Sequence, residues 1–298
     1  MSYQKLLDFA KNEGIVLLEN EPLSKHTSFR IGGPARLFAL PETVNQLTGL
    51  VAFALGHDLK WVVMGNGSNL LAPDEGFDGL VIRTTEGKPR WEGNQVTVPA
   101  GYSMSRLSAE AAQRGLAGLT FAQGIPGTVG GAVVMNAGAY GGQIADTLVS
   151  TRCITPAGLC TLTGEAHKLS YRHSVYAENP GWVCCEATFC LQPGDRDALA
   201  AEMADFAQRR RDKQPLEWPS AGSTFKRPEG YFAGKLIEDA GLKGFTVGGA
   251  QVSEKHAGFV INKGGATCAD VLQLMEQVSN MVYDKFGVRL EPEVKILK

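Results

Sequence analysis

The chain has 298 residues, more than a single hydrophobic core usually serves, so its length predicts two or three domains. Hydrophobic residues make up 44% and charged residues 20%, as in ordinary globular proteins, and a net charge of -2 excludes a protein that coats nucleic acid through its overall charge. The six cysteines form no C-x-x-C pair and no zinc-type spacing, so no metal site is predicted. Cys184 and Cys185 lie in an apolar run, which predicts buried, reduced thiols and a reducing compartment.

The first third of the chain alternates helical and strand patterns. Residues 1–10 carry charges within an apolar pattern, which predicts an amphipathic helix and not a signal peptide. Pro41 and the two residues after it are predicted to open a helix that runs to about Leu55. A short buried strand over 61–64 then leads directly into Gly65. Further strands are predicted at 79–83, 90–91 and 95–98, and a helix at 103–114.

Strand patterns return after a glycine-rich stretch, at 148–155, 159–163 and 182–191, followed by a helix over 195–211. Pro215 and Pro219 mark the best domain boundary in the chain. Beyond it the pattern predicts a compact α/β segment, with helices at 231–240 and 267–286 and strands at 245–252 and 258–261. A last strand is predicted over 288–297.

Residues 115–145 contain no charged side chain and are long enough to span a bilayer. The segment also holds nine glycines and Pro126, so it would not stay hydrogen-bonded as one continuous helix in lipid. The sequence therefore predicts no membrane insertion.

The first of two glycine loops follows the strand at 61–64 and reads Gly65-Asn66-Gly67-Ser68-Asn69. Two glycines allow close backbone approach to a phosphate, and short polar side chains tolerate unusual dihedrals. A Rossmann fingerprint is excluded because Leu70 stands beyond the second glycine and Pro73 would interrupt the helix. Taken alone, the loop is either a ligand loop or a β-turn, since Asn-Gly is also a common hairpin signal.

The second glycine loop spans 124–142 and is too apolar for an exposed linker. It is also predicted to be too rich in glycine for a packed helix or strand. Such a segment suits a wall against which a flat ligand lies, and two loops about 60 residues apart fit a dinucleotide. A phosphate-binding Walker A loop is excluded, because the nearest match, ending at Lys235, lacks both the spacing and the Ser or Thr.

Six motifs, in order along nearly the whole chain, resemble those of the family of UDP-N-acetylenolpyruvoylglucosamine reductases. They lie at 27–35, 65–71, 124–142, 171–174, 219–226 and 291–294. The resemblance implies an α+β protein, with a two-subdomain FAD-binding fold of the vanillyl-alcohol-oxidase type followed by a small α/β substrate domain. The expected division is residues 1–60 with 288–298 as the first FAD-binding subdomain, 61–208 as the second, and 209–287 as the substrate-binding domain.

The resemblance also implies an activity. NADPH as co-substrate would reduce FAD, and the reduced flavin would reduce the enolpyruvyl group of UDP-N-acetylglucosamine-enolpyruvate to UDP-N-acetylmuramate. That step belongs to peptidoglycan precursor synthesis, and so to cell wall biogenesis, cell shape and cell division. A monomeric cytoplasmic enzyme with small-molecule partners and no nucleic acid is expected.

The resemblance places the FAD-binding residues in the two glycine loops. In the first loop they are Gly65, Asn66, Gly67, Ser68, Asn69 and Leu70; in the second they are Gly124, Ile125, Pro126, Gly127, Gly130, Gly131, Asn136, Ala137 and Gly138. Neither loop contains His or Cys, so the FAD is expected to be bound non-covalently.

Three catalytic residues are carried over from the family. Arg172 would hold the substrate carboxylate, for which a planar guanidinium is well suited, and Glu293 would help to polarise that carboxylate. Ser223 would donate a proton to C2, the carbon that carries negative charge after hydride addition to C3. The resemblance also implies substrate contacts from Tyr171, Arg210 and Lys213. His173, in the same motif as Arg172, is given no role.

Two features depart from another branch of the family. That branch has Asn where this chain has Arg227, and it carries a loop with a substrate-capping tyrosine, for which 163–193 has little room. The chain therefore resembles the branch that lacks the loop. Two other functions remain open from the residues: an oxidase of the same fold that uses O₂, and a nucleotide-sugar binding protein without redox activity.

Overall fold

The computed structural model describes residues 2–298, which form two compact units. The first unit comprises residues 2–19, 37–65 and 79–208, and the second comprises 20–36, 66–78 and 209–298. Within the described residues, none of the helices combines the length and the apolar character needed to cross a lipid bilayer.

The helices of the described chain are α1 (Ser2–Asn12), α2 (Val44–Gly56), α3 (Met104–Gln113), α4 (Val129–Val134), α5 (Val175–Glu178), α6 (Arg196–Lys213), α7 (Ala233–Asp239) and α8 (Cys268–Phe286). The strands are β1 (Val16–Pro22), β2 (Pro34–Leu40), β3 (Trp61–Met64), β4 (Leu70–Leu71), β5 (Phe77–Arg83), β6 (Arg90–Glu92), β7 (Gln95–Pro99), β8 (Leu116–Ala117), β9 (Gly138–Ala139), β10 (Gly142–Gln143), β11 (Leu148–Thr155), β12 (Gly158–Thr163), β13 (Val183–Cys190), β14 (Gln192–Pro193), β15 (Ser220–Ser223), β16 (Thr246–Val247), β17 (Ala250–Val252), β18 (Phe259–Asn262) and β19 (Lys295–Ile296).

The first unit contains a five-stranded antiparallel sheet in the order β12-β11-β13-β7-β6 and most residues of the sheet β1-β2-β5-β3, in which β3 and β5 run parallel. Strand β13 lies at the centre of the five-stranded sheet, and its successive side chains point to opposite faces. Cys184 therefore lies in one hydrophobic core, whereas Val183 and Cys185 lie in another. Both cysteines are buried, as the sequence predicted, because each face of β13 is covered.

The second unit is built on the antiparallel sheet β15-β18-β17-β16, with α7 and α8 contributing to its core. Helix α8 begins with a capping box, in which Thr267 accepts from the backbone N–H of Asp270 and Asp270 accepts from that of Thr267. It ends at Gly287, whose φ of +70° is the left-handed conformation typical of a helix C-terminus. Strand β4 pairs in parallel with β19 in this unit.

Most predicted elements are confirmed, with five differences. The single strand predicted over 245–252 is wrong, because β16 and β17 lie there and pair as an antiparallel hairpin. Helix α2 begins at Val44 with Thr43 as its N-cap, so Pro41 precedes the helix and does not occupy its first turn. The second glycine loop is not free of regular structure, because α4 lies inside it. The predicted strand over 288–297 is wrong: only Lys295–Ile296 is a strand. The predicted first helix is α1, but Met1 lies outside the described residues.

The two compact units group the chain differently from the division predicted from sequence. The last segment of the second unit begins at Arg209, where the predicted substrate domain begins. However, residues 20–36, 66–78 and 288–298 also belong to this unit. The reason is packing, since Phe29, Leu71 and Leu290 lie in the same hydrophobic core as α7 and α8.

Candidate active site and cofactor loops

The two glycine loops meet inside the first unit. Strand β3 ends at Met64, and a Cβ placed on Gly65 would lie 2.2 Å from Oγ1 of Thr128 and 3.0 Å from its Cγ2. These distances leave no room for a side chain at Gly65. Glycine is required here by close approach of the second loop, independently of any ligand.

Backbone contacts hold the second loop in place. Thr128 caps α4 by accepting a hydrogen bond from the backbone N–H of Gly131 at 3.3 Å. The backbone N–H of Gly130 donates to the carbonyl of Ala100 at 2.8 Å, and a Cβ on Gly130 would lie 2.8 Å from Cβ of Ala100. Helix α4 therefore forms despite its glycines, because a polar cap and small neighbours compensate for their low helix propensity.

Asn136 fixes the end of the second loop. Its backbone is left-handed, with φ of +40°, and its side chain is buried. The side-chain amide N–H groups donate to Oε1 of Gln143 and to the carbonyl of Ser170, each at 3.0 Å, and its Oδ1 accepts from the backbone N–H of Ala145 at 2.9 Å. The amide is thus engaged by the protein itself, and a contact with the cofactor remains a prediction.

Arg172 lies beside the second loop, on a tight turn closed by reciprocal backbone hydrogen bonds between Ser170 and His173. Arg172 has φ of +55°, an unfavourable conformation for a side chain of its size. Its two terminal guanidinium nitrogens each lie 3.4 Å from the carbonyl oxygen of Gly138, and the guanidinium carbon is 5.4 Å from the centre of the Tyr171 ring. Arg172, which is predicted to bind the substrate carboxylate, therefore lies next to Gly138, which is predicted to bind FAD.

The two residues after Arg172, His173 and Ser174, form further hydrogen bonds that hold this turn in place. The Ser174 hydroxyl donates to the carbonyl of Val134 in α4 at 2.7 Å. His173 points to Glu178, with 3.1 Å between Nε2 and Oε1. Hydrogen bonds from Lys168 and His173 hold the pKa of Glu178 below its usual value. His173 is thus part of a surface ion-pair cluster, consistent with its having been given no catalytic role.

The remaining residues of the first loop lie in the second unit. Gly67 has φ of +59°, and its carbonyl accepts from the backbone N–H of Ser28 at 3.3 Å. The Asn69 side chain donates to the carbonyl of Glu293 at 3.2 Å, and the Asn69 carbonyl accepts from the backbone N–H of Lys295 at 2.9 Å. The loop predicted to bind cofactor is thereby tied to a predicted catalytic residue.

Ser223 lies at the end of β15, which carries a β-bulge. Ser220 pairs with Ile261 and Ser223 with Phe259, so β15 uses one more residue than β18 over this interval. Gly222 in the bulge has φ of +76°. The bulge leaves Ser223 exposed while the next residue, Thr224, is buried.

Glu293 lies next to the end of β15. Its backbone N–H donates to the carbonyl of Thr224 at 2.8 Å. The Ser28 hydroxyl donates to the carbonyl of Ser220 at 2.6 Å, so Ser28 joins the first glycine loop to the strand that ends at Ser223. The second unit therefore brings together Asn69, Glu293 and the Ser223 segment.

The other predicted residues have simpler surroundings. Arg210 is half-buried and Lys213 is exposed in the last turn of α6. His256 is half-buried, and its partial burial lowers its pKa; the positive charge of Lys213 contributes in the same direction. Before α4 the second loop passes through Gly124, Ile125, Pro126 and Gly127. After α4, Ala137 and Gly138 lead into the hairpin of β9 and β10.

Several residues of the site could not be identified from sequence. Ser28 lies in one of the six motifs, but nothing in the residue type assigned it a role. Thr84 and Thr85 carried no signal, yet both are buried with side-chain hydroxyls that have no hydrogen-bond partner within residues 2–298. The close backbone approach at Gly65, the absence of charged side chains in the second loop and these buried hydroxyls fit a bound dinucleotide. In the described part of the chain, no three or more His, Cys, Asp or Glu side chains form a group that could hold a metal ion.

Comparison with known proteins agrees with this geometry. Residues 35–164 match the family described as FAD binding domain, and residues 214–297 match the C-terminal domain of UDP-N-acetylenolpyruvoylglucosamine reductase. The fold and the two loops thus define an FAD-binding oxidoreductase with a second, C-terminal domain. The predicted fold class is confirmed.

Individual relatives identify the family. The chain is 50% identical over 296 residues to the UDP-N-acetylenolpyruvoylglucosamine reductase of Agathobacter rectalis, covering 94% of each chain. It is 45% identical to that of Caldanaerobacter subterraneus, covering 98% of this chain and 97% of the relative. The crystal structure of the Thermus caldophilus reductase superposes with a TM-score of 0.81 at 32% identity, covering 95% of this chain and 99% of the other.

The chain belongs to the family of UDP-N-acetylenolpyruvoylglucosamine reductases. It is an FAD-binding enzyme of peptidoglycan precursor synthesis.

Proposed function

We propose that this enzyme uses NADPH as co-substrate to reduce the enolpyruvyl group of UDP-N-acetylglucosamine-enolpyruvate to UDP-N-acetylmuramate. One observation carries the proposal. Glu293 is bound through its backbone both to Asn69 of the first glycine loop and to Thr224, the residue after Ser223. The second unit therefore joins a cofactor loop to the two groups expected to act on the substrate.

FAD held by the two glycine loops would supply the redox chemistry, accepting hydride from NADPH and making hydride available to C3 of the enolpyruvyl group. The protein must then stabilise negative charge that spreads from C2 into the carboxylate. Arg172 suits this task, because its guanidinium offers several N–H donors in one plane. Its turn is fixed by backbone hydrogen bonds and by the Gly138 carbonyl, so little reorganisation is needed when charge develops.

Ser223 is proposed to protonate C2. A serine hydroxyl is a weak acid, so it acts only towards a basic carbon and needs a network that returns its proton. The bulge at Gly222 leaves Ser223 exposed on a strand whose position is fixed on both sides, by β18 and by the Glu293 backbone. Glu293 is proposed to act on the same carboxylate as Arg172.

The UDP part of the substrate is assigned to Arg210 and Lys213, with a further contact from Tyr171. Arg210 and Lys213 are one turn apart at the C-terminal end of α6, where cations are also favoured by the helix dipole. Tyr171 is 55% exposed and therefore accessible to a ligand. Because the sequence shows no second dinucleotide loop besides the glycine loops assigned to FAD, we propose that NADPH and substrate occupy one site in turn, in a monomeric cytoplasmic enzyme.

The test separates the two half-reactions. Purified protein should show the visible absorption of bound flavin, which NADPH bleaches under anaerobic conditions and the enolpyruvyl substrate restores. Ser223→Ala should retain bleaching by NADPH, while restoration by substrate slows at least about 100-fold. The control is Ser279→Ala in α8, the same chemical change in the same unit, which should leave both rates unchanged.

Two outcomes would contradict the proposal. Equal slowing of both half-reactions in Ser223→Ala would remove its role as proton donor. Flavin reduction by an alcohol or sugar, with reoxidation by O₂ and no response to NADPH, would instead identify an oxidase.

A further inference from the structure

Thr84 and Thr85 are adjacent threonines near the glycine loops, and neither is among the predicted site residues. Their side-chain hydroxyls are buried and have no hydrogen-bond partner within residues 2–298. Thr84 is 8% exposed and Thr85 is 2% exposed. Buried hydroxyls nearly always have a partner, since leaving one unpaired is unfavourable. Two such groups in successive residues indicate a ligand.

Backbone contacts place these threonines between the two glycine loops. On one side, the backbone N–H of Thr84 donates to the carbonyl of Met64 at 2.9 Å, and Met64 directly precedes Gly65. On the other side, the carbonyl of Thr85 accepts from the backbone N–H of Gly101 at 2.8 Å. The threonines follow the carboxyl end of β5, which lies beside the carboxyl end of β3 because the two strands are parallel.

The contact continues from Gly101 to the second loop. The carbonyl of Ala100 accepts from the backbone N–H of Gly130 at 2.8 Å. A Cβ on Gly101 would lie 2.3 Å from the carbonyl oxygen of Thr85, so only glycine fits at position 101. One continuous strip of backbone thus runs from the first loop through Thr84 and Thr85 to the second, all within the first unit.

We infer that the hydroxyls of Thr84 and Thr85 bind FAD, through the oxygen-rich pyrophosphate and ribityl part of the dinucleotide. Hydroxyl groups can donate hydrogen bonds to phosphate oxygens and can also pair with sugar hydroxyls. The flavin ring system instead suits contact with uncharged residues. The inference rests on the FAD-binding domain and is independent of the proposed NADPH reaction.

The test uses Thr84→Val and Thr85→Val in the full chain, because valine keeps the shape of threonine and replaces only its hydroxyl with a methyl group. FAD affinity is measured by titrating the flavin-free protein and following flavin fluorescence. Each variant should bind FAD at least about tenfold more weakly, the effect expected for losing a hydrogen bond to a charged group. The melting temperature of the flavin-free protein should not fall, since an unpaired hydroxyl has been removed. The rise in melting temperature on adding FAD should shrink.

Three further variants separate the loss of a contact to FAD from a change in packing. Thr84→Ser and Thr85→Ser keep the hydroxyl and should retain affinity within about threefold. Thr147→Val removes another buried, unpaired hydroxyl of the same unit and should leave FAD affinity unchanged. Unchanged FAD affinity in both valine variants would overturn the inference. Equal weakening by serine and valine at the same position would also overturn it, because the hydroxyl would then not be the group that matters.

Discussion

The close approach of Gly65 to Thr128 gives a quantitative prediction. In Gly65→Ala the new methyl group would lie 2.2 Å from Oγ1 of Thr128, so something must move. Overpacking of this kind costs about 2 kcal/mol of unfolding free energy. Gly65 itself has no left-handed backbone, so the cost comes from contact and not from dihedral strain.

Gly65→Ala is combined with Thr128→Ala in a double-mutant cycle. Thr128→Ala removes the cap on the backbone N–H of Gly131 and should cost about 1 kcal/mol. In the double variant the obstructing Oγ1 and Cγ2 are gone, and the nearest remaining atom of Thr128 is its Cβ at 3.2 Å. The double variant should therefore lose about 2 kcal/mol, about 1 kcal/mol less than the sum of the single changes.

Urea denaturation of the flavin-free protein measures the three unfolding free energies, and FAD titration of the same samples shows whether loop displacement weakens cofactor binding. Gly56→Ala at the end of α2 is the control, because no atom lies within 4 Å of the added methyl and helix propensity favours alanine. Strict additivity of Gly65→Ala and Thr128→Ala would refute direct contact between the two loops.

Substitutions at three further positions test which hydrogen bonds and backbone conformations stabilise the fold. Asn136→Ala should lower the unfolding free energy in urea by about 3 kcal/mol, since it removes three hydrogen bonds and strains a left-handed position; Asn136→Gly loses the same hydrogen bonds but adds no strain, so it should cost less. Gly222→Ala should cost about 1–2 kcal/mol by the same measurement, although space is open around it, and Gly222→Asn should recover part of the loss. Hydrogen bonds from the backbone N–H groups of Thr267 and Gly249 lower the pKa of Asp270. Its carboxylate therefore stabilises the fold at neutral pH, and the difference in melting temperature from Asp270→Asn should vanish as pH falls through that lowered pKa; a difference constant from pH 7 to pH 2 would contradict this.

Local signals were enough to predict most elements. Helix α8 is predicted at 267–286, with Gly287 as its terminator, and the structure adds a capping box at Thr267 that agrees with this start. The last strand was wrong because the apolar residues of 288–297 serve a core: Leu290 and Val294 are buried against α7 and α8 without forming a ladder. Helix α4 was missed because its stability comes from the Thr128 cap and the Ala100 contact, which depend on tertiary structure.

The candidate site likewise combines residues that the sequence predicts with contacts that only the folded structure shows. Residue types and motif order predicted the two glycine loops and, through family resemblance, Arg172, Ser223 and Glu293. The contacts that hold these residues are long-range: Asn69 reaches Glu293 and Ser28 reaches Ser220, about 200 positions away in each case. Thr84 and Thr85 carry no pattern at all, because an unpaired hydroxyl is a property of the folded surroundings.

The backbone conformation of Arg172 places function and stability in opposition. At φ of +55° an arginine is a poor choice, and Gly or Asn would fit the turn with less strain. Selection for thermal stability alone would therefore remove the residue proposed to hold the substrate carboxylate. Arg172→Gly should have a melting temperature no lower than that of the parent enzyme but should lose most of its catalytic activity. Engineering guided by stability or consensus should therefore leave position 172 unchanged.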